Sequence, residues 1–247
     1  MSAVRALSEL LEQSEFVVAF TGAGISTESG IPDFRGKDGI WTKVQPIEFQ
    51  DFISSEEMRR EYWRRKSSFD SVMERALPND GHKALKRLHD RGKLKRVVTQ
   101  NVDGLHQASG VPADHVIELH GNATYAACLS CKRRYECEPI IAALRERDEL
   151  PVCDCGGIIK TATISFGQPM PEQEMAAAED LAKKADLLLV IGTSLVVYPA
   201  AVLPRLTKEA GGHLAILNRD PTDYDGIADL VLHEEIGPTL SAAVAEV

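Results

Sequence analysis

Positive charge is in short supply in this sequence. Its 247 residues hold 28 Lys and Arg against 37 Asp and Glu, a formal charge of −9. That leaves no electrostatic footprint for gripping phosphate backbones, and no direct sequence-specific nucleic-acid binding is expected. Long apolar runs are missing too. The longest uncharged stretch, residues 187–204, is interrupted by Gly192, Thr193, Ser194, Pro199 and Pro204, so it reads as strand, turn and helix rather than a membrane span. Near the start, Glu9, Glu12 and Glu15 leave no room for the apolar segment of an export signal. Internal repeats and low-complexity linkers are absent. Cysteine is scarce, five in all, and four of the five fall in two close pairs. With no export signal the expected location is cytoplasmic, where thiols stay reduced, and close pairing then points to metal before disulfide.

The remaining composition is ordinary: 44% hydrophobic and 26% charged, with 6% aromatic. Disorder, collagen and coiled coil are set aside on that basis. The length allows one large domain, or one with a small accessory module. Val4, Leu7, Leu10 and Leu11 recur at helical spacing over residues 3–13, with Ser2 as the expected N-cap. Leu94 to Thr99 reads as a strand, and Phe16 to Phe20, Asp186 to Ile191 and His213 to Leu217 are short apolar runs that lead into small or polar residues. Such runs suit strands buried on both faces. Alternating with helical segments, they predict an α/β fold built on a parallel, doubly wound, Rossmann-like sheet.

Ligands of such sheets sit beyond the carboxyl ends of the strands, so the residues there carry the interest. Phe16–Phe20 leads into Thr21-Gly22-Ala23-Gly24-Ile25-Ser26. A turn of this kind exposes backbone N–H groups where phosphate is attracted, and glycine lets a pyrophosphate approach. The dinucleotide fingerprint is incomplete, because Thr27 stands where its third glycine belongs. A tight turn with no ligand is the alternative. Downstream, Arg35 offers a bidentate fork for phosphate, with Asp33 and Phe34 placed to orient a sugar and cover a ring; a local Asp–Arg pair is the plainer reading. Gln100, Asn101, Val102 and Asp103 follow the middle strand, with amide and carboxylate groups for a carboxamide and a ribose, or else for helix capping. Gly192, Thr193 and Ser194 end a later strand, where small residues, two of them hydroxyl-bearing, suit phosphate and ribose contacts.

Cys128-Leu129-Ser130-Cys131 and Cys153-Asp154-Cys155 would supply four thiolates to a closed tetrahedral zinc site. The second knuckle is one residue shorter than the common C-x₂-C. Cys137, in a strand-like stretch from Arg134 to Glu138, is the alternative to Cys153. No open position or nearby His suggests catalysis by this metal.

Gly22-Ala23-Gly24-Ile25-Ser26 followed by Gly30-Ile31-Pro32-Asp33-Phe34-Arg35 resembles the opening signature of the sirtuins, the NAD-dependent protein deacylases. Gln100-Asn101-Val102-Asp103, Leu119-His120-Gly121, the cysteine ribbon and Thr163-Ile164-Ser165-Phe166-Gly167 extend the likeness in order. The resemblance implies an inserted small domain: the Rossmann-like part over 1–35, 81–122 and 168–247, a helical segment over 36–80 and a zinc ribbon over 123–167. It implies NAD as co-substrate and a structural zinc. It places Asn101 and Asp103 by the nicotinamide carboxamide and the bond to be broken, Gln100 on ribose, and Asn218, with Arg219 and Asp220, at the adenine-side ribose. It makes His120 the catalytic base, with His106 structural. Ile164 and Phe166 would line a channel for the acylated lysine, Gly167 and Val196 the groove where an acylated protein or peptide adds as a strand. The implied reaction is deacetylation, with desuccinylation as an extension, releasing nicotinamide and O-acyl-ADP-ribose. Tyr62 and Arg65 resemble a pair that grips acidic acyl groups in some relatives; a solvated basic helix face is the alternative. Protein mono-ADP-ribosylation and a non-catalytic NAD-sensing module are the competing functions.

Overall fold

The computed structural model describes residues 3–36, 39–73 and 75–247. Ser2 lies outside the described residues, so the cap expected there is not seen. Among these residues the strands are β1 (Val17–Thr21), β2 (Leu94–Thr99), β3 (Val116–Glu118), β4 (Gly121–Cys128), β5 (Arg134–Glu136), β6 (Ile159–Thr163), β7 (Leu187–Ile191), β8 (His213–Leu217) and β9 (Leu230–Leu232). The helices are α1 (Ala3–Gln13), α2 (Phe49–Ser54), α3 (Glu56–Met73), α4 (Asp80–Asp90), α5 (Leu105–Ala108), α6 (Cys137–Arg147), α7 (Glu172–Lys184), α8 (Leu203–Glu209) and α9 (Ile236–Ala245).

Six strands form one sheet in the order β3-β2-β1-β7-β8-β9, every neighbouring pair parallel. This is the doubly wound sheet the apolar runs predict. Successive residues of a strand point to opposite faces, and here both faces are covered. Val17 and Ala19 of β1, with Leu187 and Leu189 of β7, pack against Leu7 and Leu11 of α1, Leu85 and Leu88 of α4 and Leu240 of α9. Val18 and Phe20, with Leu188 and Val190, pack against Ala178 of α7 and Leu203 of α8 on the other side. Each large side chain fully removed from water there contributes roughly 1.5–3 kcal/mol. The chain order reverses at β1: the polypeptide fills one wing through β2 and β3, then returns to lay β7 against the other edge of β1.

A second sheet, β5-β4-β6, is antiparallel. Its core unites Trp63 of α3, Cys137, Ile140 and Leu144 of α6, and Ala126, Cys128, Cys153 and Ile159. One local reading is corrected. Cys137 does not sit in a strand: β5 stops at Glu136 and Cys137 opens α6, with Glu136 as N-cap. The turn after β1 enters a 3₁₀ helix, Ala23–Ser29. No helix among the described residues is long and apolar enough to cross a membrane.

Candidate active site

The carboxyl ends of β1, β2, β7 and β8 open onto one cleft of about 980 Å³, part of it continuous with solvent. Gly22, Ala23 and Gly24 follow β1, Gln100 and Asn101 follow β2, Gly192, Thr193 and Ser194 follow β7, and Asn218, Arg219 and Asp220 follow β8. Asp33, Phe34, Arg35 and His120 complete the expected set around it. Val102 and Asp103 do not reach its wall.

The glycines have a reason the sequence reading missed. A Cβ on Gly24 would lie 2.7 Å from the Gly192 Cα and 2.8 Å from its oxygen, and one on Gly22 would lie 2.6 Å from the Thr193 Cβ. These glycines therefore let the β1 loop lie against the β7 loop, and the contact is clamped by Gly24 N–H donating to Gly192 O at 2.8 Å. Gly192 adopts φ +61°, a left-handed backbone that favours glycine.

Beneath the cleft the polar groups interlock. Asn101 donates its amide to Ser26 Oγ at 3.1 Å, and that hydroxyl donates to Asp103 Oδ2 at 2.7 Å. Asp103 Oδ1 accepts from Leu105 N–H at 2.9 Å, so this residue also caps α5. Burial pushes the Asp103 carboxyl above its usual range, partly offset by those bonds to Leu105 and Ser26. Gln100 Nε2 donates to Thr193 Oγ1 at 2.9 Å, tying β2 to β7. At the far end Asp33 accepts from Gly36 N–H at 2.8 Å and lies 3.8 Å from Arg219.

His120 stands at the entry to β4. Its Nδ1 lies 3.0 Å from the carbonyl oxygen of Gln100, which can only accept. The proton is thereby held on Nδ1, and Nε2 carries the lone pair. Burial lowers the ring's pKa from the ordinary 6.5; the Gln100 bond opposes that, and the Arg35 charge adds to the lowering. His106 is buried, with Nε2 2.9 Å from Thr21 Oγ1.

Beyond His120 its carbonyl accepts from Ile164 N–H at 2.8 Å. Phe166, 40% exposed, has its oxygen bonded by Phe49 N–H and its ring edge-on to Trp41, which stacks on Phe34 of the cleft. Gly167 and Val196 are exposed, and Val197 reaches the cleft wall. Tyr62 and Arg65 are elsewhere engaged. The Tyr62 hydroxyl bonds Thr161 and lies 3.3 Å from Thr163 Oγ1, while Arg65 pairs with Glu61 at 2.6 Å and donates to Gln45 O.

Cys128, Cys131, Cys153 and Cys155 bring their sulfurs within 4.8 Å of one another. Cys128 and Cys155 Sγ are 3.6 Å apart and Cys131 and Cys153 Sγ 3.5 Å apart. Tetrahedral Zn–S bonds of about 2.3 Å require sulfur separations near 3.8 Å, so this set fits zinc. Cys137 is not part of it; its thiol is buried beside Ala123 O. Tyr135 donates its hydroxyl to Cys153 Sγ at 2.9 Å.

Several cleft residues escape the sequence reading: Thr27 and Glu28, and Glu234, Glu235 and Ile236 at the start of α9. Glu28 accepts from Gly237 N–H at 2.8 Å across 209 positions of chain, a pairing no local pattern signals.

The description "Sir2 family" matches residues 22–199. The chain is 49% identical to "NAD-dependent protein deacetylase 1" of Bradyrhizobium diazoefficiens, over 98% of this chain and 96% of that protein. It is 46% identical to the "NAD-dependent protein deacetylase" of Rhodopseudomonas palustris, with the same coverage. Among solved structures, a Sir2 variant with deacetylated p53 peptide and 3′-O-acetyl ADP ribose superposes with a TM-score of 0.91 at 37% identity, covering 99% of this chain and 98% of that one. A Sir2 complex with p53 peptide and NAD+ gives 0.88 at 36% identity, covering 100% and 98%. A match over most of the chain, together with near-half identity along nearly its full length, makes this protein a member of the Sir2 family.

Proposed function

We propose that this chain removes acetyl groups from lysine side chains of proteins in an NAD-dependent reaction, releasing nicotinamide and O-acetyl-ADP-ribose. The observation that carries the proposal is the His120 ring at the cleft wall, its Nδ1 proton committed to Gln100 O and its pKa lowered by burial. Such a ring is an unprotonated base near neutral pH. The names of the relatives and the ligands of the superposed structures support the same reading.

The residues fit NAD. Arg35, at the cleft wall beside the β1 loop, would supply cationic charge for the phosphates. Asn101, its amide set by Ser26, would hold the carboxamide end, and Asn218 and Asp220 would hold the adenine-side ribose. When bound, NAD would supply an electrophilic ribose carbon whose bond to nicotinamide breaks as the acyl oxygen attacks. His120 Nε2 would take the proton of a ribose hydroxyl. Phe34, Trp41 and Phe166 form an aromatic wall that would exclude water from the meeting point of the two substrates. Zinc on the four cysteines would hold the ribbon in register and take no part in the reaction. The reduced thiols such a site requires make a cytoplasmic location part of the proposal. So is the division into a large domain and an inserted module formed from 36–80 and 123–167.

Acetyl is the favoured acyl group, because Glu61 neutralises Arg65 and the Tyr62 hydroxyl is already bonded. Incubating NAD with acetyl- and succinyl-lysine peptides, read by mass, tests all of this. Acetyl peptide should gain a free lysine as O-acetyl-ADP-ribose appears. ADP-ribosylated peptide would favour mono-ADP-ribosyl transfer, and absence of released nicotinamide a sensing module. His120→Ala should abolish turnover while NAD still binds; full turnover in that variant removes His120 from its role.

A further inference from the structure

Under the floor of the cleft a hydrogen-bonded chain crosses from β1 to β2 and ends on Asn101. We propose that Thr21 and His106 are positioning residues for Asn101, acting through the Thr99 hydroxyl. The proposal rests on reading Asn101 as the contact for the nicotinamide end of NAD. Thr99 Oγ1 accepts twice, from Asn101 N–H at 3.0 Å and from the Thr21 hydroxyl at 2.8 Å. A hydroxyl has one hydrogen. Thr21 gives its own to Thr99, so its 2.9 Å contact with His106 Nε2 is a donation from the ring. His106 is therefore the Nε2–H tautomer, and its Nδ1 has no partner.

Thr21, Thr99, Asn101 and His106 are all 5% exposed or less, so water does not compete for these bonds. Burial, with His82 adding to it, also drives the His106 pKa down to about 3, and the ring donates as a neutral group at working pH. On its other side the Asn101 amide is tethered to Ser26. Asn101 is thus held at its backbone through Thr99 and at its side chain through Ser26. Strand pairing does not require the first tether. Thr21 and Thr99 are already in register through the parallel β1–β2 ladder, and valine at 21 would keep both the volume and the ladder.

The test uses the full chain with Thr21→Val, Thr21→Ser and Asn101→Ala, alone and combined. It reads nicotinamide exchange, kcat and KM for NAD, and calorimetric binding of ADP-ribose, which lacks the nicotinamide end. Thr21→Val should slow exchange and turnover about 3- to 10-fold, the worth of one buried hydrogen bond, with ADP-ribose affinity unchanged within about twofold. Thr21→Ser, which keeps the hydroxyl, should recover most of the rate. In the Asn101→Ala background Thr21→Val should have almost no further effect. A native rate in Thr21→Val, a matching loss of ADP-ribose affinity, or full additivity with Asn101→Ala overturns the proposal. Unimpaired exchange in Asn101→Ala alone instead overturns the reading of Asn101. If Thr21→Val does not fold, His106→Leu against His106→Gln decides by the same rules, since glutamine retains a donor.

Discussion

His120 shows how far one side chain depends on its surroundings. A histidine free in water is half protonated near pH 6.5. Here burial, reinforced by Arg35, favours the neutral ring over the charged one. A base works only when unprotonated, so with His120 in the proposed role the lowered pKa would place the acid limb of activity below pH 6.5. NMR titration of the His120 ring in the free protein should show its midpoint below that of an unstructured histidine peptide, and Arg35→Met should move the midpoint upward, because the cation no longer opposes protonation. A midpoint at or above the peptide's would contradict this account. The motif Leu119-His120-Gly121 is visible in the sequence, but this tuning is not. It comes from the Gln100 carbonyl, the closure of β4 against β6 and a guanidinium from a separate loop.

At the scale of elements, legibility followed burial. The β2 and β8 bounds, Leu94–Thr99 and His213–Leu217, match the strands read from the sequence residue for residue; their buried positions, Val97 to Thr99 and Leu214 to Leu217, carry the signal, although Lys95 and Arg96 are only half-buried and His213 is exposed. Short pieces escaped. β3 has three residues and too few positions to show a period, and Cys137 looked like strand because one turn of helix and an alternating strand share the same few letters. The cysteine pairs were legible because metal fixes spacing as well as residue type. That ribbon also supports more than itself, since Trp63 of α3 packs in one cluster with Cys128 and Cys153. About one zinc per chain is expected. Chelation, or Cys128→Ser, should shift Trp63 fluorescence and lower the unfolding temperature; metal-free protein with unchanged emission and stability would refute a zinc-held ribbon.

At the scale of the whole molecule, His120 lies between β3 of the large sheet and β4 of the small one, and its carbonyl accepts from Ile164 N–H just past β6, so the cleft and residues 164–167 share one seam. An acetylated peptide adding as a strand between 164–167 and 194–198 should slow amide exchange in both segments and leave α4 and α9 untouched; protection confined to one segment would argue against a two-sided groove. The molecule's acid sensitivity is legible as well. Burial depresses His82 to about 4 and His106 to about 3. Unfolded, both would bind protons near pH 6.5, so the unfolded chain binds more protons between these limits and stability rises with pH there. Denaturant midpoints should therefore fall as pH drops below 6.5, and the slope should shrink in His106→Leu. The facing glycines of the β1 and β7 loops carry one last implication. Gly22, Gly24 and Gly192 have no space for even a methyl group because protein, not ligand, occupies it. A saturation library sorted only for solubility or protease resistance, with no selection for turnover, should already be depleted at these three sites, so intolerance there would report assembly of the chain rather than recognition of a dinucleotide.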